Sequence, residues 1–156
     1  MDNTDIKILN CLRENSRINA SQIGEQINMS VSAVIERMKR LESTGIIKRY
    51  TTILDCNMIG KDTTAFISIS LEHPKHIDNF IKNITSNDEI TECHFITGDF
   101  DFILKVVTHS TQTLERVLNE IKSIKGVSLT KTLVVLSTSK QEASPPLESL
   151  TDESKA

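Results

Sequence analysis

The chain has 156 residues, 38% of them apolar, enough to bury a core as one domain or as two small ones that share an interface. Residues 1–50 hold 8 Lys+Arg against 6 Asp+Glu and the rest 10 against 15, so a weakly basic head precedes an acidic body. Cys11, Cys56 and Cys93 are odd in number and in no C-x-x-C pair, and neither an apolar leader nor a membrane-length stretch is visible. A disulfide framework, a zinc ribbon, a signal peptide and a membrane partner are therefore not expected, and a reducing, cytoplasmic location is.

Three short helical segments come first. In "DIKILNCLREN" Ile6, Leu9 and Leu12, with Ile8, keep helical spacing. The second start is written more fully: Asn19 caps, Gln22 stands three residues on, and Ile18 and Ile23 bracket the cap as a hydrophobic staple. This helix, "ASQIGEQI", buries Ile23 and Ile27. A third start follows, with Ser30 as cap and Met29 facing Val34, and the helix runs to about Thr44, where Gly45 ends it.

The inner stripe of the third helix is Val34, Met38 and Leu41. A rotation of about 100° per residue puts Ser32, Ala33, Glu36, Lys39, Arg40 and Ser43 on the far side, with Arg37 at the stripe's edge. The outer face is small at its N-terminal end and basic further along. A basic stripe alone is usually a solvated face. Here it comes with a tri-helical unit, two caps and a short turn, which together read as a helix-turn-helix whose third helix enters a DNA major groove. On this reading Ser32, Ala33 and Glu36 lie near base edges, Ser30 and the first turn offer donors, and Arg37, Lys39 and Arg40 meet mainly phosphates.

After Gly45 the period changes. "IIKRYTTIL" is rich in β-formers and is expected to leave the head as a strand, and "DCNMIGKD" reads as a linker with a turn at Gly60. "TAFISISL" alternates Ala65, Ile67, Ile69 and Leu71 inward. "HIDNFIKNIT" sets Ile77, Phe80, Ile81 and Ile84 on one helical face. "ITECHFIT" and "FDFILKVV" are strands joined tightly through "GD". "TQTLERVLNEIKSIKG" spaces Leu114, Val117, Leu118, Ile121 and Ile124 helically up to Gly126, and "VSLTKTLVVL" is a last strand. The order β-α-β-β-α-β is the ferredoxin-like arrangement, with both helices on one face of an antiparallel sheet. The other face, expected to carry Phe66 and Val134, would be covered by a second copy.

The fold class is thus α+β: a helix-turn-helix domain over residues 1–50, a strand and linker over 51–61, a ferredoxin-like domain over 62–137 and a disordered polar tail over 138–156. Four stretches together resemble the leucine-responsive/asparagine-synthesis regulator family (Lrp/AsnC) across residues 1–137. They are "DIKIL", the pattern S-x-S-x-V-x-x-R-x-K-x-L-E-x-x-G-I-I over Ser30 to Ile47, "TGDFDFILKV" over Thr97 to Val106, and "GVSLTKTLVVL" over Gly126 to Leu136. Two positions depart from the family's habit: Val31 stands for a proline and Phe100 for a tyrosine.

The resemblance implies a transcription factor that binds double-stranded DNA, dimerises and assembles further, and holds a small effector, an amino acid, between subunits. It makes Gly98, Asp99, Phe100, Asp101, Thr130 and Thr132 the effector candidates, with Asp101 for the ammonium end and the threonines and backbone for the carboxylate. Without it, the same residues read as a hairpin turn and ordinary strand positions. A divergent branch resembling this family decarboxylates tetrapyrroles, so an enzyme is the alternative. That chemistry needs gathered histidines and arginines. His73, His76, His94 and His109 are scattered, with His76 expected to be exposed, Arg116 is the lone arginine of the acidic half, and no nucleotide loop, cofactor motif or Ser/His/Asp set is visible.

Overall fold

A computed structural model describes residues 1–148. Its chain forms two compact units, one of residues 1–53 joined by 140–148, the other of residues 54–139.

In the first unit every helix starts at a side-chain cap. Helix α1 (Asn3–Glu14) opens on a reciprocal pair: the Asp2 carboxylate accepts from the Asp5 backbone N–H at 2.9 Å, and the Asp5 carboxylate accepts from that of Asp2 at 3.0 Å. The box anticipated at α2 (Ala20–Ile27) forms between Asn19 and Gln22. Ser30 caps α3 (Val31–Ser43) by accepting from the Ala33 N–H, and Gly45, at φ 75°, follows its end. Each cap satisfies a donor that the helix itself leaves unpaired. Ile8, Leu12, Ile23, Val34 and Leu41 are the buried centre, with Ile18, Ile27, Met29 and Met38 packed against them, so both staples join one cluster. Each fully buried aliphatic side chain contributes about 1.5–3 kcal/mol, so a core of five leaves little to lose.

The second unit contains β1 (Thr63–Leu71), α4 (Ile77–Thr85), β2 (Ile90–Phe95), β3 (Phe102–Thr108), α5 (Thr111–Ser123) and β4 (Val127–Val134). The strands lie in the order β2-β3-β1-β4, all pairs antiparallel. Ala65, Ile67 and Ile69 of β1 and Phe102, Leu104 and Val106 of β3 meet Phe80 and Ile84 of α4 and Leu114, Val117 and Ile121 of α5 in a single core. Both helices therefore cover the same face.

Several expectations are corrected. Residues 46–54 form no strand, because a strand needs a paired neighbour and these residues have none among the described residues; β-propensity is context rather than a backbone habit. The β2–β3 connection is longer than the tight turn expected around Gly98 and Asp99: it runs over 96–101 and is tied to β1 through Asp101. Val134 pairs with Ala65 and Leu133 with Phe66, so Leu133, not Val134, shares the helix-free face with Phe66. His76 is half-buried, since its ring lies over Gly126. Residues 138–148 form no helix or strand, although Leu147 is half-buried and its carbonyl accepts from Asn10 Nδ2 at 3.2 Å. The rest of the expected tail, 149–156, lies outside the described residues.

Candidate functional site

The helix-turn-helix surface is built on α3. Ser32, Glu36 and Lys39 are exposed, Ala33 is half-buried, and Ser30 Oγ lies 3.3 Å from Ser32 Oγ at the helix start. These positions form the small, then charged, outer face expected of α3. The turn before it depends on two residues that the spacing of apolar residues does not single out. Asn28 is left-handed at φ 56°, and Gly24 lies so close to the next turn that a Cβ there would stand 2.6 Å from the Met29 carbonyl oxygen. A glycine inside a helical pattern is itself the available signal, because it costs about 1 kcal/mol against alanine unless packing requires it.

Arg37 and Arg40 are placed differently from the other candidates, both reaching toward α1. Arg37 Nη1 donates to both oxygens of Asp2, at 2.9 and 2.7 Å, and to Asp5 Oδ1 at 2.8 Å. Arg40 Nη2 donates to both oxygens of Asp5 at 2.9 Å. The Asp5 side chain is 1% exposed, that of Arg37 25% and that of Arg40 55%. The Arg37 hydrogen bond, with that of the Asp5 N–H, lowers the Asp2 carboxyl to about 2. Burial alone would raise Asp5, but its Arg37 and Asp2 hydrogen bonds and the Arg40 charge outweigh burial and hold it below the usual carboxylate range. Beyond α3, the Tyr50 hydroxyl donates to Glu42 at 2.9 Å, and burial together with that bond pushes the phenol up to about 12.

On the sheet, the effector candidates fall in two places on either side of β1. The turn is anchored by Asp101, whose N–H donates to the Ile69 carbonyl at 2.9 Å and whose Oδ2 accepts from the Leu71 N–H at 2.8 Å. Ser70 Oγ donates to the Asp99 carbonyl at 3.4 Å. Gly98 has φ 120°, a conformation that favours glycine, while space around it is open. Phe100 is half-buried and Asp99 exposed. Thr130 and Thr132 pair with Ile69 and Ile67, so they share a face as expected, and both are half-buried. β1 separates them from β3, a lateral distance of about 10 Å. The Asp99 carboxylate, Asp101 Oδ1 and both threonine hydroxyls have no partner among the described residues. A concavity of about 680 Å³ lies elsewhere, between α4 and α5, lined by Asn83, Asn87, Glu89, Arg116, Glu120 and Lys125 among others.

The features that a tetrapyrrole site would need are dispersed. His73 Nδ1 accepts from the Lys75 N–H, His76 lies on Gly126, His94 stands by Glu92, and His109 Nδ1 bonds the Gly60 carbonyl. Arg116 is paired with Glu89 and Glu120. Among the described residues no three His, Cys, Asp or Glu side chains gather as a metal ion would require, and no helix is long and apolar enough to cross a membrane.

Residues 1–48 match the family model for a winged helix-turn-helix DNA-binding domain, and residues 64–145 match that for the Lrp/AsnC ligand binding domain. The chain belongs to the Lrp/AsnC family. It is 38% identical over 121 residues to the HTH-type transcriptional regulator LrpB of Bacillus subtilis, covering 78% of this chain and 80% of the relative. A transcriptional regulator from Neisseria meningitidis, solved as an L-methionine complex, superposes with a TM-score of 0.89 at 29% identity, covering 94% of this chain and 96% of that one. AsnC from E. coli gives 0.85 at 29% identity, covering 91% and 96%. The Lrp/AsnC relatives are named as regulators, which favours transcriptional control over the decarboxylase alternative.

Proposed function

We propose that this Lrp/AsnC protein is a cytoplasmic regulator that binds a pseudo-palindromic DNA site as a homodimer, a unit of any larger assembly, with α3 in the major groove. The observation that carries the reading is the outer face of α3, small at the capped start and charged later, in a unit that matches a DNA-binding family model. Ser32, Ala33 and Glu36 face base edges, and Ser30 and the first turn offer donors. Lys39 contacts phosphate, and Arg40 adds the donors that Asp5 leaves free.

Dimerisation has a surface at hand on the helix-free sheet face, where Phe66 pairs with Leu133, and where Leu133 and Leu129 are 53% and 56% exposed. Two heads on one site double the phosphate contacts. Lys39→Ala is therefore expected to flatten the slope of log affinity against log salt by about one unit per protomer, about two for the dimer. Binding titrations at several salt concentrations measure it. An unchanged slope would remove Lys39 from the interface, and a change of one would mean a single head.

The effector reading rests on the unpartnered groups of Asp99, Asp101, Thr130 and Thr132, with Gly98 and Phe100 shaping the turn. An amino acid needs both a carboxylate for its ammonium group and donors for its carboxylate, and residues from two subunits can supply both at a seam. The L-methionine complex of the Neisseria relative makes methionine the first amino acid to try. Because Asp101 also accepts from Leu71, replacement by alanine would confuse binding with folding. Asp101→Asn keeps an oxygen for Leu71 and removes the charge. In a thermal-shift screen of the amino acids, the hit should raise the wild-type melting temperature and raise that of Asp101→Asn much less. Equal shifts would exclude the ammonium contact.

A further inference from the structure

We propose that Asp2 and Asp5 are positioning residues for DNA recognition, which withhold Arg37 and one edge of Arg40 from the phosphate backbone. The inference rests on α3 being the DNA-reading helix. Two of the three cations that α3 carries, Arg37, Lys39 and Arg40, are turned toward α1 and matched there by two carboxylates, so the local charge cancels. Asp5 accepts from Arg37, from Arg40 and from the Asp2 N–H, and its side chain is 1% exposed. Pulling Arg37 to a phosphate would strip a buried carboxylate of one of these donors, whereas Lys39, with no ion pair among the described residues, moves at no such cost.

The consequence is selectivity. Phosphate contacts are sequence-independent and strengthen binding to any duplex, while base contacts discriminate. A recognition helix whose arginines are held internally binds random DNA weakly and depends more on its base-reading face. The same bonds fix the roll of α3 against α1, because Arg37 and Arg40 lie one turn apart and share Asp5.

Asp2→Asn tests this with little disturbance to the fold, since asparagine caps a helix as well as aspartate and keeps an oxygen for the Asp5 N–H. With its charge gone, Asp5 is the one carboxylate left to Arg37, and the amide oxygen at position 2 is a weaker acceptor shared with the Asp5 N–H. Titration of the full chain with a mixed-sequence duplex should show tighter binding at low salt and a log–log salt slope steeper by about one unit per protomer. In an Arg37→Gln background, Asp2→Asn should leave the slope where Arg37→Gln alone puts it. A slope unchanged by Asp2→Asn in the otherwise wild-type chain overturns the proposal. So does equal steepening in both backgrounds, which would mean a general charge effect. If the wild type shows no salt-dependent binding to DNA, the DNA reading itself fails. A purely structural role would lower the melting temperature and leave the slope alone.

Discussion

Gly24→Ala should destabilise the helix-turn-helix unit, against the usual sign for such a change. In an ordinary helix interior the substitution stabilises by about 1 kcal/mol. Here the added Cβ would lie 2.6 Å from the Met29 carbonyl oxygen and 3.8 Å from Val34 Cγ2. That oxygen is backbone and cannot rotate away, and the Met29 N–H is tied to the Gly24 carbonyl at 2.9 Å. Relief requires α2 and the start of α3 to separate, which lifts the fully buried Val34. Overpacking of this kind costs about 1–3 kcal/mol, on the order of 10 °C in the melting temperature of a unit this small. A thermal melt followed by far-UV circular dichroism measures it. Because the displaced segment contains Ser30 and the first turn of α3, operator affinity should fall as well. A melting temperature equal to or above wild type would show that the turn yields, and that Gly24 is not what sets the approach of the two helices.

What could be read from the sequence is what depends on near neighbours. The Asn19/Gln22 cap, the α3 cap at Ser30, the Gly45 stop and the inward set Ala65, Ile67 and Ile69 all follow from spacing within one element. The cap of α1 escaped because aspartates at both positions do not match the Ser/Thr and Glu/Gln pattern, though they make the same two bonds. The cap of α5, with Ser110 and Thr113, escaped for a like reason. Arg40 could be assigned to the outer face of α3 and Arg37 to the edge of its inner stripe, but their partners are more than thirty residues away, and periodicity carries no information about which helix passes alongside. The face of Val134 depended on register with β1, which a one-residue shift inverts. For the effector site the sequence marked the turn and the threonines, but Asp101 also holds β1, a task visible only once the β1–β3 ladder is seen to end at Ile69 and Phe102, which leaves the Leu71 N–H to the Asp101 carboxylate.

Gly126→Ala is the second substitution with a large expected effect, and it acts on the sheet unit. Gly126 ends the connection from α5 to β4 at φ 96°, where an L side chain costs about 1–3 kcal/mol whatever surrounds it. Its surroundings are also closed: a Cβ would stand 2.3 Å from His76 Cγ, 2.5 Å from Cδ2 and 2.6 Å from Cβ. A new rotamer moves the imidazole but not the His76 Cβ, so the short helical turn Pro74–His76 must shift, and with it Ile77 at the start of α4. Gly126 cannot retreat easily, since its carbonyl accepts from the Glu72 N–H at 2.8 Å beside the β1 bulge. Strain and overpacking together should lower the melting temperature of this unit by ten degrees or more, at about 4–8 °C per kcal/mol for a domain of its size. The two causes can be separated. His76→Ala removes Cγ and Cδ2, so in that background the added cost of Gly126→Ala should shrink by about 1 kcal/mol or more, leaving the backbone strain and the contact with the Cβ of residue 76. If the cost is the same in both backgrounds, the imidazole is not the obstacle, and the loss belongs to the positive φ at Gly126 and the contact with the Cβ of residue 76.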